Sequence, residues 1–255
     1  MPDALDDRAF RRYARHLILD EVGEDGQAKL LASRVLIVGA GGLGSPVALY
    51  LAAAGVGHLT LVDDDVVDDT NLQRQIIHSD AAIGRAKVES AAETLARLDP
   101  HIKISARKLR VDAGNIDGLI AGHDLVIDGS DNFDTRYAVH DACYRARVTL
   151  VSASLLRFEA QLSTYKAYDG KTACLRCLHP EKPPPDLIPR CEEAGILGAV
   201  AGVAGSLQAT EALKELLGLG KSLAGDVLIY DALDTNFRRI AVPKDPHCKL
   251  CGPTP

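Results

Sequence analysis

The sequence predicts an α/β fold: a doubly wound, mostly parallel sheet extended by antiparallel strands in its C-terminal half. Three observations carry this. Short β-branched runs alternate with longer segments of helical period in the first 155 residues. The stretch GAGGLG, Gly39 to Gly44, joins the first such run to the first long helix, and beyond residue 155 the rhythm gives way to alternation and a hairpin pattern.

The elements follow in order. The runs RVLIV near residue 36, HLTLVD near 61, IKISA near 104, DLVID near 126 and VTLVS near 150 read as strands. Between them, SPVALYLAAAG, GRAKVESAAETLARL and DTRYAVHDACYRAR place apolar residues three or four apart, as helices do. EAQLSTYKAY alternates, and DVLIYDALDTNFRRIAV reads as a hairpin, so both extend the sheet in antiparallel sense. The segment HPEKPPPDLIPRCEEAGIL is too rich in proline for a helix or a central strand and predicts a mobile crossover loop over 178–195. We expect one domain over 1–255, with an N-terminal helical arm over 1–30 and a turn-rich tail over 244–255.

Composition narrows the function classes. A formal charge of −6 argues against a broad basic face for nucleic acid. The N-terminus lacks the basic and apolar regions of a signal peptide, and the apolar stretch from Gly195 is too short to span a bilayer before it turns amphipathic. The expectation is a cytoplasmic protein with neither a membrane nor a nucleic-acid partner. Its six cysteines would be reduced there, so paired CxxC spacing points to metal or redox chemistry before structural disulfides.

Gly39, Gly41 and Gly44 fit a G-x-G-x-x-G loop, whose following helix offers backbone N–H groups to an anion. Asp63 ends the next strand, 24 residues after Gly39, where a dinucleotide fold places the carboxylate that accepts a ribose hydroxyl. To this point a nicotinamide or flavin enzyme fits as well as any other reading. Asn71 and Arg74 in DTNLQRQ, Lys87 in GRAKVES, and Asp131 and Asn132 in DGSDN all lie at or just after C-terminal strand ends. Each cation alone reads as a solvated surface residue. Together they form a set that hydride transfer does not need: Arg74 and Lys87 can meet phosphates and Asp131 can hold Mg²⁺, which tips the reading toward ATP.

Cys174 and Cys177 form one CxxC and Cys248 and Cys251 another; such a pair of knuckles suits tetrahedral thiolate zinc in a closed, structural site, even with about 70 residues between them. Independent redox motifs are the weaker alternative, because neither pair is expected at a helix start directly after a strand. Cys143, on a helix face, reads as a buried thiol.

The motifs VLIVGAGGLGSPVALYLAAAGVGHLTLVDDD, NLQRQ, GRAKVE, DGSDN, CLRC and CKLC, in this order and spacing, resemble the MoeB/ThiF/HesA adenylyltransferases, relatives of the adenylation domain of ubiquitin-activating enzymes. The resemblance runs from about Arg12 to Gly252, and no rhodanese-like extension is expected. It implies a Rossmann-like fold and ATP-dependent adenylation of the C-terminal glycine carboxylate of a small ubiquitin-like sulfur carrier, of the MoaD or ThiS type, before a sulfur donor such as a cysteine desulfurase or rhodanese forms the thiocarboxylate. It further implies that Gly42 approaches the nucleotide and Asp63 holds its ribose, that Asn71, Arg74 and Lys87 contact the triphosphate, and that Asp131 binds Mg²⁺ with Asn132 alongside. Arg15 matches an arginine finger that reaches the phosphates of the other subunit of a homodimer; without the resemblance it reads as one more charge on an amphipathic helix. Cys191 matches a loop cysteine near the carrier's path, which some members link covalently to the carrier and others do not need. Thr70 stands where serine is common, preserving a hydroxyl, and Ala160 where glycine is usual, which bears on how closely a partner backbone can approach.

Two other classes stay open at this point. A dinucleotide-dependent oxidoreductase would bind NAD(H) or flavin tightly. A non-catalytic carrier-binding module would bind nucleotide and carrier without releasing pyrophosphate. A relative of the same chemistry could also take a peptide or another ubiquitin-like tag.

Overall fold

The computed structural model describes residues 5–182 and 195–252. Eight strands form one sheet in the order β3-β2-β1-β4-β5-β6-β7-β8: β1 Arg34–Val38, β2 His58–Asp63, β3 Lys103–Lys108, β4 Leu125–Asp128, β5 Thr149–Leu156, β6 Glu159–Tyr165, β7 Asp226–Asp231 and β8 Asn236–Ala241. The first five are parallel and the last three antiparallel, as the change of rhythm near residue 155 predicts. Each expected strand is present.

Side chains of the central strands alternate between two cores. Val35 and Ile37 of β1 pack with α3 (Gly23–Ala32), α4 (Gly44–Ala53) and α5 (Lys87–Leu98). Leu36 and Val38 face the opposite layer, α6 (Ile116–Ile120) and α7 (Phe133–Ala146). A strand buried on both faces has no polar side to show, which is why RVLIV is a continuous apolar run. The helix Gly198–Leu217, our α9, crosses the first layer and packs on both α4 and β5. No helix among the described residues is long and apolar enough to cross a membrane.

The chain runs β1, β2, β3 outward on one side, then returns to lay β4 against the free edge of β1. The loops after β1 and β4 therefore diverge above neighbouring strands and leave a crevice, the place where open α/β sheets bind ligands. GAGGLG opens one wall and DGSDN the other.

Two short helices, α1 (Asp7–Arg12) and α2 (Ala14–Leu17), precede α3. They dock at the opposite edge of the sheet. Tyr13 donates its hydroxyl to Asp99, just past the end of α5, and a Cβ on Gly55, past the end of α4, would lie 2.6 Å from the Tyr13 ring. Asp99 is fully buried and also pairs with Arg12 at 2.9 Å, so the arm is held by a buried carboxylate and not by apolar contact alone.

Ala160 is 96% buried, with its side chain in the core shared with α9. The methyl that replaces the usual glycine hydrogen thus points inward and leaves the outer face of β6 unchanged. Most of the proline-rich crossover, Cys191 included, lies outside the described residues.

Candidate active site

The glycine loop is shaped by two contacts that admit no side chain. Gly39 has φ +94°, and a Cβ there would sit 2.9 Å from the Gly129 carbonyl oxygen. At Gly44 a Cβ would lie 1.9 Å from the carbonyl oxygen of Gly39. The loop can turn sharply into α4 only because both positions are glycine. The N–H groups of Gly41 and Gly42 have no hydrogen-bond partner among the described residues, and they stand where the chain enters α4. Free donors at a helix start attract an anion.

Ala40, between the glycines, is held from both sides. Its N–H donates to Asp63 Oδ2 at 2.7 Å, and its carbonyl accepts from His78 Nε2 at 2.9 Å. A carbonyl can only accept, so Nε2 carries the proton and Nδ1 accepts from the Ser90 hydroxyl at 2.9 Å. Burial lowers the His78 pKa, which favours this neutral form. Nothing in the sequence singles out His78, because its role depends on a contact 38 residues away.

Asp63 lies at the end of β2. Burial raises its pKa, while the charge of Lys87 and the N–H groups of Ala40 and Asp65 pull it back down. Each carboxylate oxygen takes one backbone N–H, from Ala40 and Asp65, and each keeps a lone pair for a hydroxyl.

Lys87 opens α5 and is 95% buried, with its ammonium 2.8 Å from Asp65 Oδ2. Asp65 is exposed and free to yield to a stronger anion. The pair thus places a cation beside the loop without leaving it unpaired in the core. Asp65 is not among the residues the sequence singles out, because its partner lies 22 residues further along the chain.

Asn71 ends a single 3₁₀ turn, Asp69–Asn71, capped by Asp68. Its side-chain oxygen accepts from Gln75 Nε2 at 2.6 Å, and its amide donates to the Thr70 hydroxyl at 3.1 Å, so threonine does supply the hydroxyl expected there. Gln75 Oε1 is buried with no hydrogen-bond partner among the described residues. Arg74 lies on the Gly42 side: a Gly42 Cβ would be 3.5 Å from Arg74 Cγ and 3.4 Å from Ala201 of α9.

On the facing wall, Gly129 donates to the Val38 carbonyl at 2.9 Å, tying the end of β1 to the DGSDN loop. Asp131 is exposed, and among the described residues its one side-chain hydrogen bond is from Asn132 Nδ2 at 3.4 Å. Asn132 caps α7 by accepting from the Thr135 N–H at 2.9 Å, which sequence reading had left out. A cleft of about 30 Å³ lies nearby, lined among others by Arg136, Ser152, Gln161 and Ser163; it is the size of a water and far too small for a nucleotide.

The structure thus brings Gly39, Gly41, Gly42, Gly44, Asp63, Asn71, Arg74, Lys87, Asp131 and Asn132 to one crevice. Arg15 is not among them. It is exposed on α2, at the sheet edge opposite the loop, and makes no hydrogen bond or ion pair among the described residues. The ten residues of α4 separate those two edges by about 15 Å.

The four cysteines assemble away from the crevice. Cys174 lies 3.8 Å from Cys177 and 3.5 Å from Cys248, and Cys177 lies 3.4 Å from Cys251, sulfur to sulfur. Tetrahedral thiolate zinc sets its sulfurs about 3.8 Å apart, so the donor set and spacing suit that ion. Burial pushes Cys174 up and Cys251 up to about 12, while hydrogen bonds bring Cys248 down to about 7 despite its burial. Cys174 stands at a helix start, as the cap of α8 (Leu175–Leu178). That helix follows a 3₁₀ turn and not a strand, as expected, and the thiols of both pairs face one another in an arrangement that could hold a metal ion. Cys143 is buried, with its pKa raised by that burial, as expected of a core thiol.

Residues 13–250 match the ThiF family. The chain belongs to the ThiF family. Over 249 residues it is 47% identical to the SAMP-activating enzyme E1 of Haloferax volcanii, covering 98% of this chain and 91% of that protein. To the probable adenylyltransferase/sulfurtransferase MoeZ of Mycobacterium tuberculosis it is 46% identical over 95% of its own length, and it spans 62% of that protein. Among solved structures, E. coli MccB crystallised with MccA-N7isoASN superposes with a TM-score of 0.82 at 25% identity, covering 94% of this chain and 75% of that one. The ThiF chain described here thus shares both the parallel core and the antiparallel extension with solved relatives.

Proposed function

We propose that this chain is an ATP-dependent adenylyltransferase acting on the C-terminal glycine carboxylate of a small ubiquitin-like sulfur carrier. One observation supports this above the rest: a glycine loop, a carboxylate at ribose height, two cations and a solvent-facing carboxylate share one crevice at the switch point of the sheet. The names of the relatives point the same way, one for activating SAMP and one as an adenylyltransferase/sulfurtransferase.

In this reading Asp63 accepts the ribose hydroxyls with its remaining lone pairs. The free N–H groups of Gly41 and Gly42 meet phosphate oxygens, and Asn71, Arg74 and Lys87 hold the triphosphate. Lys87 exchanges Asp65 for phosphate. Asp131, with Asn132 beside it, would hold Mg²⁺, which when bound neutralises charge on the phosphates; an exposed carboxylate with no strong partner suits that hard cation. The carrier carboxylate forms a bond to the α-phosphorus while the bond to the bridging oxygen breaks, and that electron pair leaves with pyrophosphate. No proton moves, because the carboxylate is already ionised at neutral pH. The barrier is repulsion between anions plus the entropy of alignment, so fixed cations and a docked tail are what the site must supply.

Arg15 sits too far from its own loop to serve it, which supports a finger reaching into a second copy of this chain in a homodimer. Cys174, Cys177, Cys248 and Cys251 would hold a structural zinc that fastens the tail. Cys191 is the candidate for a covalent link to the carrier, and a cysteine desulfurase or rhodanese the class of sulfur donor. The setting that fits this chemistry is the cytoplasm.

Pyrophosphate exchange into ATP tests the reading, run with small carriers ending in Gly-Gly. Exchange should depend on the carrier and vanish in Asp131→Ala. Exchange at the same rate without carrier would remove the protein substrate; carrier binding with no exchange would leave a binding module; tight NAD(H) binding would restore the oxidoreductase.

A further inference from the structure

Asp128 is the last residue of β4 and is wholly buried. A carboxylate at that depth is costly unless donors surround it. Its Oδ1 accepts from both the N–H and the hydroxyl of Ser130, at 2.9 and 2.6 Å. Its Oδ2 accepts from the Ser152 hydroxyl at 2.8 Å and faces Arg136 Nε at 3.6 Å. Arg136, from α7, donates Nη2 to the carbonyls of Ser130 and Ala153, at 2.9 and 3.2 Å. Gln208, from α9, donates to the backbone carbonyl of Asp128 itself at 2.8 Å.

Ser130 is consequently held at its N–H, its hydroxyl and its carbonyl. Two residues on, Asn132 is locked as the cap of α7. Between them stands Asp131, with its backbone held on both sides and its carboxylate facing solvent. The network secures the origin of that side chain and leaves its end free.

We propose that Asp128 and Arg136 are positioning residues that aim the Asp131 carboxylate at the divalent cation of the bound nucleotide. This rests on the reading of Asp131 as the metal-holding carboxylate. Asparagine at 128 could still accept from Ser130, but its neutral amide would face Arg136 and leave the mostly covered guanidinium without its counter-charge. The loop would then settle elsewhere.

The test uses the full chain, with Asp128→Asn, Arg136→Ala, Arg136→Lys and Ser130→Ala compared with Asp131→Asn. Two quantities are read apart from turnover: amide hydrogen exchange over 129–132 in the free protein, and Mn²⁺ affinity by electron paramagnetic resonance with a non-hydrolysable ATP analogue. Asp128→Asn should weaken Mn²⁺ by about 10- to 100-fold, the range for residues that orient a metal-holding group, and speed exchange of the loop amides. Arg136→Lys should restore part of the affinity relative to Arg136→Ala. Asp131→Asn should weaken Mn²⁺ at least as much while leaving loop exchange unchanged. Loosened amides with unchanged Mn²⁺ affinity in Asp128→Asn would make the network purely structural and overturn the proposal. Unchanged affinity in Asp131→Asn would instead overturn the reading beneath it. If Asp128→Asn does not fold, Ser130→Ala, which removes one hydroxyl and no charge, decides: Mn²⁺ affinity equal to the parent's overturns the proposal.

Discussion

The carboxylate of Asp63, at the end of β2, accepts the backbone N–H of Ala40, inside the glycine loop, at 2.7 Å. The residue read as a ribose ligand therefore also sets the shape of the glycine loop, and in the proposed function losing it would remove two roles at once.

Asp63→Ala should weaken ATP about 10- to 100-fold by calorimetry, since a hydrogen bond to a charged group contributes about 1.5–3 kcal/mol. The loss should exceed that of Asp63→Asn, which can still accept from Ala40. Equal losses in both variants would remove the structural half of the role.

Gly44→Ala tests the turn itself. The added methyl would meet the Gly39 carbonyl at 1.9 Å, a backbone atom that cannot step aside. Overpacking of this kind costs about 1–3 kcal/mol, and the urea midpoint and ATP affinity should fall together. A variant with the parent's midpoint would mean the loop enters α4 differently.

The four-cysteine cluster predicts one zinc per chain by elemental analysis. Chelation or Cys174→Ser should speed hydrogen exchange over 244–252, because the tail is otherwise tied to the body by few bonds, among them Lys244 to the Gly170 carbonyl at 2.7 Å. Unchanged exchange on chelation would refute a structural role.

Stability should depend on pH with a definite sign. Burial lowers the pKa of His58, His78 and His123 in the folded chain. Below about pH 6.5 the unfolded chain therefore binds protons that the native one does not, so stability is complete above that pH and falls as pH drops toward the folded values. One histidine titrating only when unfolded contributes a slope of about 1.4 kcal/mol per pH unit. Urea midpoints at pH 7.5 and 5.5 should show the fall, and His78→Gln, whose amide can still reach Ala40, should flatten it. A slope identical to the parent's would exclude His78 as a contributor.

Much of this architecture was legible before any coordinates. RVLIV and DLVID read as buried parallel strands because both of their faces are covered, and the residue-155 change of rhythm marked the antiparallel extension. Asp63, Lys87 and Asp131 were legible as strand-end and helix-start residues in a known spacing. His78, Asp128 and Arg136 were not, for they lie in ordinary helical, turn or strand sequence and acquire meaning only from partners elsewhere in the chain.

The sequence by itself determined the order of elements, the glycine turn and the two CxxC pairs, because period, φ preference and ligand spacing are local properties of a chain. The tertiary structure alone decided three other matters. It brought Cys174 and Cys177 to Cys248 and Cys251, it set Arg15 at the edge opposite the glycine loop, and it buried Asp128 three residues before the exposed Asp131. Each depends on which distant segments share a dielectric environment and a hydrogen bond, and packing settles that, not periodicity.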